Sequence, residues 1–243
     1  MAPHLGITPK FAGALVPSLA FAPMSVALVT GSSRGIGLEL CRQLAARGDS
    51  VIATCRAATE ELRRLPVRVE EGVDVADEAS VRELAGRLDV PSIELLVLNA
   101  GISNIDLIFN LDVRKVRHQI EVNALGALIV TAALLDRLHE GAKIALVSSR
   151  MGSIGGNDGG GMYGYRMSKA AMNAAGRSLA LDLGPRGIAV AVLHPGYVAT
   201  DLNHHSGNIS PAESVAGLLA RFDELTLATS GRFVDYQGAT LPW

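Results

Sequence analysis

Cysteine is nearly missing from this 243-residue chain: there are two, Cys41 and Cys55. They form no CxxC pair and join no cluster with histidine, which excludes a disulfide framework and argues against a structural zinc site. Aromatic residues make up 4% of the chain, so a core of stacked rings is not expected. Charge of one sign is not in excess, the formal net charge being −2. No basic field therefore points to nucleic acid or to an anionic membrane. The domain also lacks an uninterrupted apolar run of about 18 residues, the length that suggests a membrane span. The expectation is a protein of a reducing, cytoplasmic-type compartment, with no metal, nucleic-acid or membrane partner.

What the chain has is glycine, 26 residues, and apolar residues at 49%. Short β-branched and aliphatic runs alternate with segments of helical periodicity. The runs are 26–29, 51–54, 67–69, 95–98, 144–147, 189–193 and 232–234. The helical segments are 36–46, 80–88, 113–135, 165–183 and 212–225. Regular alternation with short connections predicts an α/β fold, a doubly wound sheet of about seven mostly parallel strands with helices on both faces. Cys41 falls within the first helix and is expected there as a small buried residue. Residues 1–23 hold four prolines, one lysine and no acid, and precede the first strand. Pro9, Pro17 and Pro23 break what would be a signal-peptide core, so this segment reads as an extension and residues 24–243 as one domain. Six glycines between Gly152 and Gly161 predict a mobile loop.

The first strand runs into Thr30-Gly31-Ser32-Ser33-Arg34-Gly35-Ile36-Gly37. Glycines at such a strand-to-helix turn let backbone N–H groups approach a pyrophosphate, and the helix N-terminus adds partial positive charge. A ribose 2′-OH is usually held by an acid about 20 residues further on. Here that strand ends Ala53-Thr54-Cys55-Arg56, without an acid. Arg34 and Arg56 suit a 2′-phosphate, which guanidinium groups grip in bidentate fashion, so NADP(H) is the expected cofactor. Cys55 lies beside this position and is expected to serve packing.

Tyr165 and Lys169 are one helical turn apart and share a helix face. A free phenol has a pKa near 10, and a nearby cation lowers it. The pair is therefore expected to move a proton, with Lys169 also reaching the cofactor ribose. A serine of Ser148-Ser149 could polarise a carbonyl oxygen. His204-His205 has no patterned third ligand, so solvent exposure is the expectation there rather than metal binding.

In this order, these motifs resemble the short-chain dehydrogenase/reductase family, in its compact single-domain branch, from about Ser25 to Trp243. The resemblance implies that Gly31, Ser33, Arg34, Gly35, Ile36 and Gly37 form the cofactor turn and that Asp74 and Val75 contact adenine. It implies that Asn99, Ala100 and Gly101 brace the sheet beside the cofactor, and that Asn123 holds the water of a proton relay. Ser149 is the serine at the family position, with Ser153 a minor alternative, and it joins Tyr165 and Lys169 in the catalytic set. Pro195, Gly196, Val198 and Thr200 would close on the nicotinamide and its phosphates. Ser149-Arg150-Met151-Gly152-Ser153, Tyr163-Gly164-Tyr165-Arg166 and the ending Leu241-Pro242-Trp243 are similar to C-factor/sniffer-like carbonyl reductases. The implied activity is NADPH-dependent reduction of small-molecule carbonyls in a homodimer or homotetramer. The rival is a non-enzymatic NADP(H) sensor, which would have no need of the acid–base pair. The short segment 202–211 is where the family builds its substrate cover, and it implies an open pocket.

Overall fold

A computed structural model describes residues 25–243; the expected extension, 1–23, lies outside them. The element order is β1 (Val26–Thr30), α1 (Gly35–Ala46), β2 (Ser50–Thr54), α2 (Glu60–Arg63), β3 (Arg68–Glu70), α3 (Glu78–Arg87) and β4 (Leu95–Leu98). It continues with α4 (Val113–Ile120), α5 (Gly126–Ala133), β5 (Lys143–Val147), α6 (Tyr163–Leu183), β6 (Ala189–His194), α7 (Pro211–Glu224) and β7 (Phe233–Asp235). The seven strands form one sheet in the order β3-β2-β1-β4-β5-β6-β7. Every ladder between these strands is parallel, so "mostly parallel" sharpens to fully parallel among the described strands.

Period-2 alternation divides the strands between two cores. Leu28, Ile52, Leu96, Ile144 and Val190 face the side covered by α3, α5 and α6. Ala27, Val29, Val51, Val97, Ala145 and Ala191 face the side covered by α1 and α7. Strands buried on both faces require apolar residues at every position, which is why the sequence shows continuous runs rather than alternation. The order reverses between β1 and β4, and a crevice opens there at the carboxyl ends of the strands. Cys41 is fully buried, as expected for packing. Among the described residues no helix is long and apolar enough to cross a membrane.

Four elements differ from the sequence expectation. The helix expected over 113–135 is interrupted by a π-helical turn, Glu121–Leu125, centred on Asn123. Apolar periodicity runs through that turn, so pattern does not mark it. A short helix, α2, was not expected; Thr59 caps it by accepting from Leu62 N at 3.3 Å. Strands β3 and β7 each sit one residue later than the apolar run suggests, because their polar last residues, Glu70 and Asp235, still pair with Thr54 and His194.

Candidate active site

The crevice is a cleft of about 660 Å³, within the range that buries a drug-sized or cofactor-sized ligand. The whole glycine turn from Gly31 to Gly37, Ser32 excepted, lines it. Arg56, Asp74, Val75, Asn99, Ala100, Gly101 and Thr200 line it as well, so thirteen of the residues expected to bind the cofactor line one cleft.

The turn is built for close approach. A methyl on Gly37 would lie 2.2 Å from Gly31 O and 2.6 Å from Asn99 Nδ2, so no larger residue fits. Asn99 Nδ2 donates to Thr30 O at 3.0 Å and Gly31 O at 3.2 Å, while Thr30 Oγ1 accepts from the N–H groups of Asn99 and Ala100. These bonds fasten the turn of β1 to the end of β4. Helix α1 starts at Arg34 with no side-chain cap, which leaves its first N–H donors aimed into the cleft. The fit to a dinucleotide phosphate therefore rests on donors and space in the chain itself.

Arg56 is exposed at the end of β2, and among the described residues it takes part in no ion pair. Arg34 lies 3.7 Å from Asp201, both side chains largely in solvent. Thr200 lies against the turn, its Cγ2 being 3.3 Å from where a methyl on Gly35 would sit. Pro195, Gly196 and Val198 anchor the segment that carries it. Pro195 O accepts from Ser214 Oγ at 2.6 Å, Gly196 packs on Ile209 and Tyr236, and Val198 bridges to Ile209.

Tyr165 and Lys169 lie in the first two turns of α6, as their spacing requires. Ser148 and Ser149 follow β5 and point in opposite directions. Ser148 Oγ donates to Asn173 Oδ1 at 2.5 Å and is buried away from the cleft. Ser149 instead accepts from Met151 N at 3.1 Å, and its hydroxyl lies near enough to the Tyr165 phenol to favour the phenolate. Ser153 Oγ is occupied with Trp243 O and Gly156 N, so it holds the glycine-rich loop rather than a substrate. Lys169 is 3% exposed; its Nζ donates to Val147 O at 2.8 Å and stands 6.0 Å from the Tyr165 ring centre. A methyl on Gly101, which lines the cleft, would lie 3.7 Å from Lys169 Nζ and 3.3 Å from Asn123 Oδ1. Lys169 Nζ and Asn123 thus meet the cleft at Gly101.

The electrostatics differ from the expectation of a phenol lowered by its lysine. Burial pushes the Tyr165 phenol above its ordinary value, and the nearby Ser149 hydroxyl only partly opposes this. Burial also pushes Lys169 down to about 8. Desolvation disfavours the charged form of each group. Asn123 differs too. Its Oδ1 accepts from Ile102 N at 2.8 Å, and its Nδ2 donates to Ile102 O and Ser168 Oγ, each at 2.9 Å. Both amide N–H groups are engaged, so Asn123 ties three elements together and has no donor free for a water.

Thr59, Val73, Ile102, His118, Val122 and Leu202 also line the cleft and were not singled out in the sequence. Of these, Thr59 carries a local signal, a cap followed by Glu60 and Glu61. Cys55 lines the cleft as well, but burial pushes its thiol up and disfavours thiolate. His205 Nε2 meets Asp201 Oδ1 at 2.9 Å. The loop expected to be mobile begins as an ordered turn, Arg150–Gly152. A methyl on Gly152 would lie 2.7 Å from the backbone carbon of Lys169, so this glycine seats the Ser149 turn on α6.

Residues 25–209 match the short chain dehydrogenase family. The chain is 44% identical over 227 residues to the 1-hydroxy-2-glutathionyl-2-methyl-3-butene dehydrogenase of Rhodococcus sp. (strain AD45), covering 90% of this chain and 100% of that protein. Its fold is similar to the NADPH-bound carbonyl reductase from chicken fatty liver, with a TM-score of 0.83, 30% identity, and coverage of 90% of this chain and 98% of that one. The carbonyl reductase Sniffer of D. melanogaster superposes with a TM-score of 0.84 at 29% identity, over 90% of this chain and 100% of that one.

Proposed function

The chain belongs to the short chain dehydrogenase family, and on that premise we propose that it is an NADPH-dependent reductase of aldehyde and ketone carbonyls, reversible with the alcohols. The observation that carries this reading is the meeting of Lys169 Nζ and Asn123 with the cleft at Gly101, one helical turn from Tyr165 and with the Ser149 hydroxyl near the phenol. The NADPH bound by the chicken fatty liver relative supports the choice of cofactor, as do Arg34 and Arg56. The uncapped start of α1 would hold the pyrophosphate, and the two arginines the 2′-phosphate.

When bound, nicotinamide supplies the hydride; the chain's residues orient the carbonyl and provide the proton. Ser149 Oγ donates a hydrogen bond to the carbonyl oxygen. Tyr165, whose phenol is protonated at neutral pH at its ordinary pKa near 10 and is raised further by burial, gives that oxygen its proton. The Lys169 ammonium stabilises the phenolate left behind and reaches toward the ribose. Asn123 fixes Ile102 and Ser168 around the lysine, and a relay water there would meet acceptor atoms rather than its amide donors. In the same reading the protein is a homodimer or homotetramer of the cytoplasm.

The test is NADPH consumption by the full chain over a panel of aldehydes, diketones and quinones. The panel is completed by a glutathionyl alcohol with NADP⁺, chosen because of the Rhodococcus relative. Turnover with any of them supports the reductase. NADPH binding without turnover on the whole panel favours the non-enzymatic sensor.

A further inference from the structure

Helix α6 carries both members of the proton-transfer pair, yet it starts without a cap of its own. Its N-cap residue is Met162, which has no hydroxyl, amide or carboxylate to offer and adopts the left-handed conformation at φ 48°. A side chain with a Cβ is strained in that region, so something else must hold the start of the helix. The partner comes from the loop after β4. Asp106 accepts from Met162 N through its main-chain oxygen at 2.8 Å and from Gly164 N through Oδ2 at 3.0 Å. Gly164 directly precedes Tyr165. Asp106 is 4% exposed although its neighbours Ile105 and Leu107 are exposed, so the carboxylate is turned inward out of an otherwise solvent-facing loop. Its second oxygen, Oδ1, is buried and has no hydrogen-bond partner. An isolated packing role does not account for a carboxylate held in that setting, since burying one is costly without compensation. The helix N-terminus supplies part of that compensation.

The surroundings leave the carboxylate little freedom. A methyl on Gly164 would lie 2.9 Å from Asp106 Oδ2, 2.2 Å from Gln119 Nε2 and 3.1 Å from Val116 Cα. The first turn of α6 is thereby pressed against α4, with Asp106 in the seam. Gln119 Oε1 in turn accepts from Asn104 N at 2.9 Å, two residues before the aspartate.

We propose that Asp106 is the positioning residue for Tyr165: it caps α6 from outside the helix and fixes the first turn, and with it the height and direction of the phenol. The inference rests on Tyr165 being the proton donor. It adds that catalysis depends on a side chain 59 positions upstream, counted from Asp106 to Tyr165, that touches neither substrate nor cofactor.

The test compares Asp106→Ala and Asp106→Asn in the full chain, with Asp77→Ala as the control. Asp77 caps α3, accepting from Ala79 N at 3.0 Å, and is not among the residues that line the cleft. Three readouts are taken: kcat, the Kd for NADPH, and amide exchange in the first turn of α6. Asp106→Ala should lower kcat about 10- to 100-fold, as sub-ångström to 1 Å misplacement of a reacting group does. It should leave the Kd for NADPH within about twofold, because that turn does not hold the phosphates. The Gly164 amide should exchange faster. Asp106→Asn, whose amide oxygen still accepts from Gly164, should recover kcat to within about threefold of the parent. Asp77→Ala should lower stability and leave kcat alone. If Asp106→Ala does not fold, Asp106→Glu moves the same carboxylate outward by one methylene and must show the same selective loss of kcat. A kcat for Asp106→Ala within about threefold of the parent overturns the inference, as does an equal loss of kcat and NADPH affinity, or failure of the asparagine to rescue. If Tyr165→Phe is inactive in the same assay, any of these results sinks the role of Asp106 alone; if Tyr165→Phe is fully active, the functional reading itself fails.

Discussion

At the scale of single residues, the site depends on charges placed where burial disfavours them. Lys169 is the clearest case. Its folded value of about 8 lies below the ordinary 10.5, so between those limits the unfolded chain binds more protons than the folded one. Stability from this group is therefore fully present above about pH 10.5 and lost as pH falls through about 8. At neutral pH the cost is on the order of 3 kcal/mol. Lys169→Met should accordingly raise Tm at pH 7, by about 2–4 °C per kcal/mol recovered, while turnover and NADPH affinity fall. The gain in Tm should shrink as pH rises from 8 to 10.5. A gain that is the same at pH 7 and above pH 10.5 would refute the assignment of the cost to desolvation. Arg56 poses the cofactor question at the same scale. It is exposed on the cleft wall at the end of β2, where no acid stands to hold a 2′-OH. Arg56→Asp should cost NADPH binding about 1.5–3 kcal/mol and reverse or abolish the preference over NADH. Equal dissociation constants for NADPH and NADH in the parent protein would remove the ground for this expectation.

At the scale of elements, the site is assembled by close approaches between segments distant in sequence. The Ser149 turn sits on α6 through Gly152, and the first turn of α6 sits on α4 through Gly164. Gly152→Ala would force backbone apart where a methyl lies 2.7 Å from the Lys169 carbonyl carbon. Overpacking of this kind costs about 1–3 kcal/mol, and here it also separates Ser149 from Tyr165. Turnover should fall at least about tenfold, more than NADPH affinity does. An alanine variant with unchanged turnover would mean that the turn does not set the serine. These approaches also explain what the sequence could and could not reveal. The glycine turn, the Tyr165–Lys169 spacing and the strands of the sheet are local patterns, each contained within one or two turns or a single strand. Gly152 and Asp106 carry no such pattern. Gly152 reads as one glycine of a loose run, and Asp106 as one acid of a loop, until the partners 17 and 58 positions away, Lys169 and Gly164, are in place. The π-turn at Asn123 was hidden for another reason: apolar residues continue through it, and its cause is the tie from Asn123 to Ile102 and Ser168. Gly176 of α6 carries no sequence signal either; it is buried, and a methyl there would meet Val192 at 2.5 Å.

At the scale of the whole molecule, a fully parallel sheet gathers its functional side chains at one edge. The glycine turn, Asn99, Ser149 and Thr200 all follow the carboxyl ends of strands, from β1, β4, β5 and β6 in turn. Leu125, Leu128, Met167 and Leu181 remain exposed on α5, α6 and the π-turn, in support of the assembly proposed above. Light scattering at micromolar concentration should report a dimer or tetramer, and a monomer would refute it. The account as a whole rests on Tyr165 giving its proton to a carbonyl oxygen, and one measurement reaches that claim directly. It is the turnover of Tyr165→Phe beside the parent protein, on a carbonyl the parent reduces well, with NADPH binding measured in parallel. The substitution removes a single hydroxyl, so folding and NADPH affinity should be retained while turnover falls by about 10²–10⁴-fold or more. Turnover within about threefold of the parent, far short of that effect, would contradict the account, because the proton would then come from somewhere else.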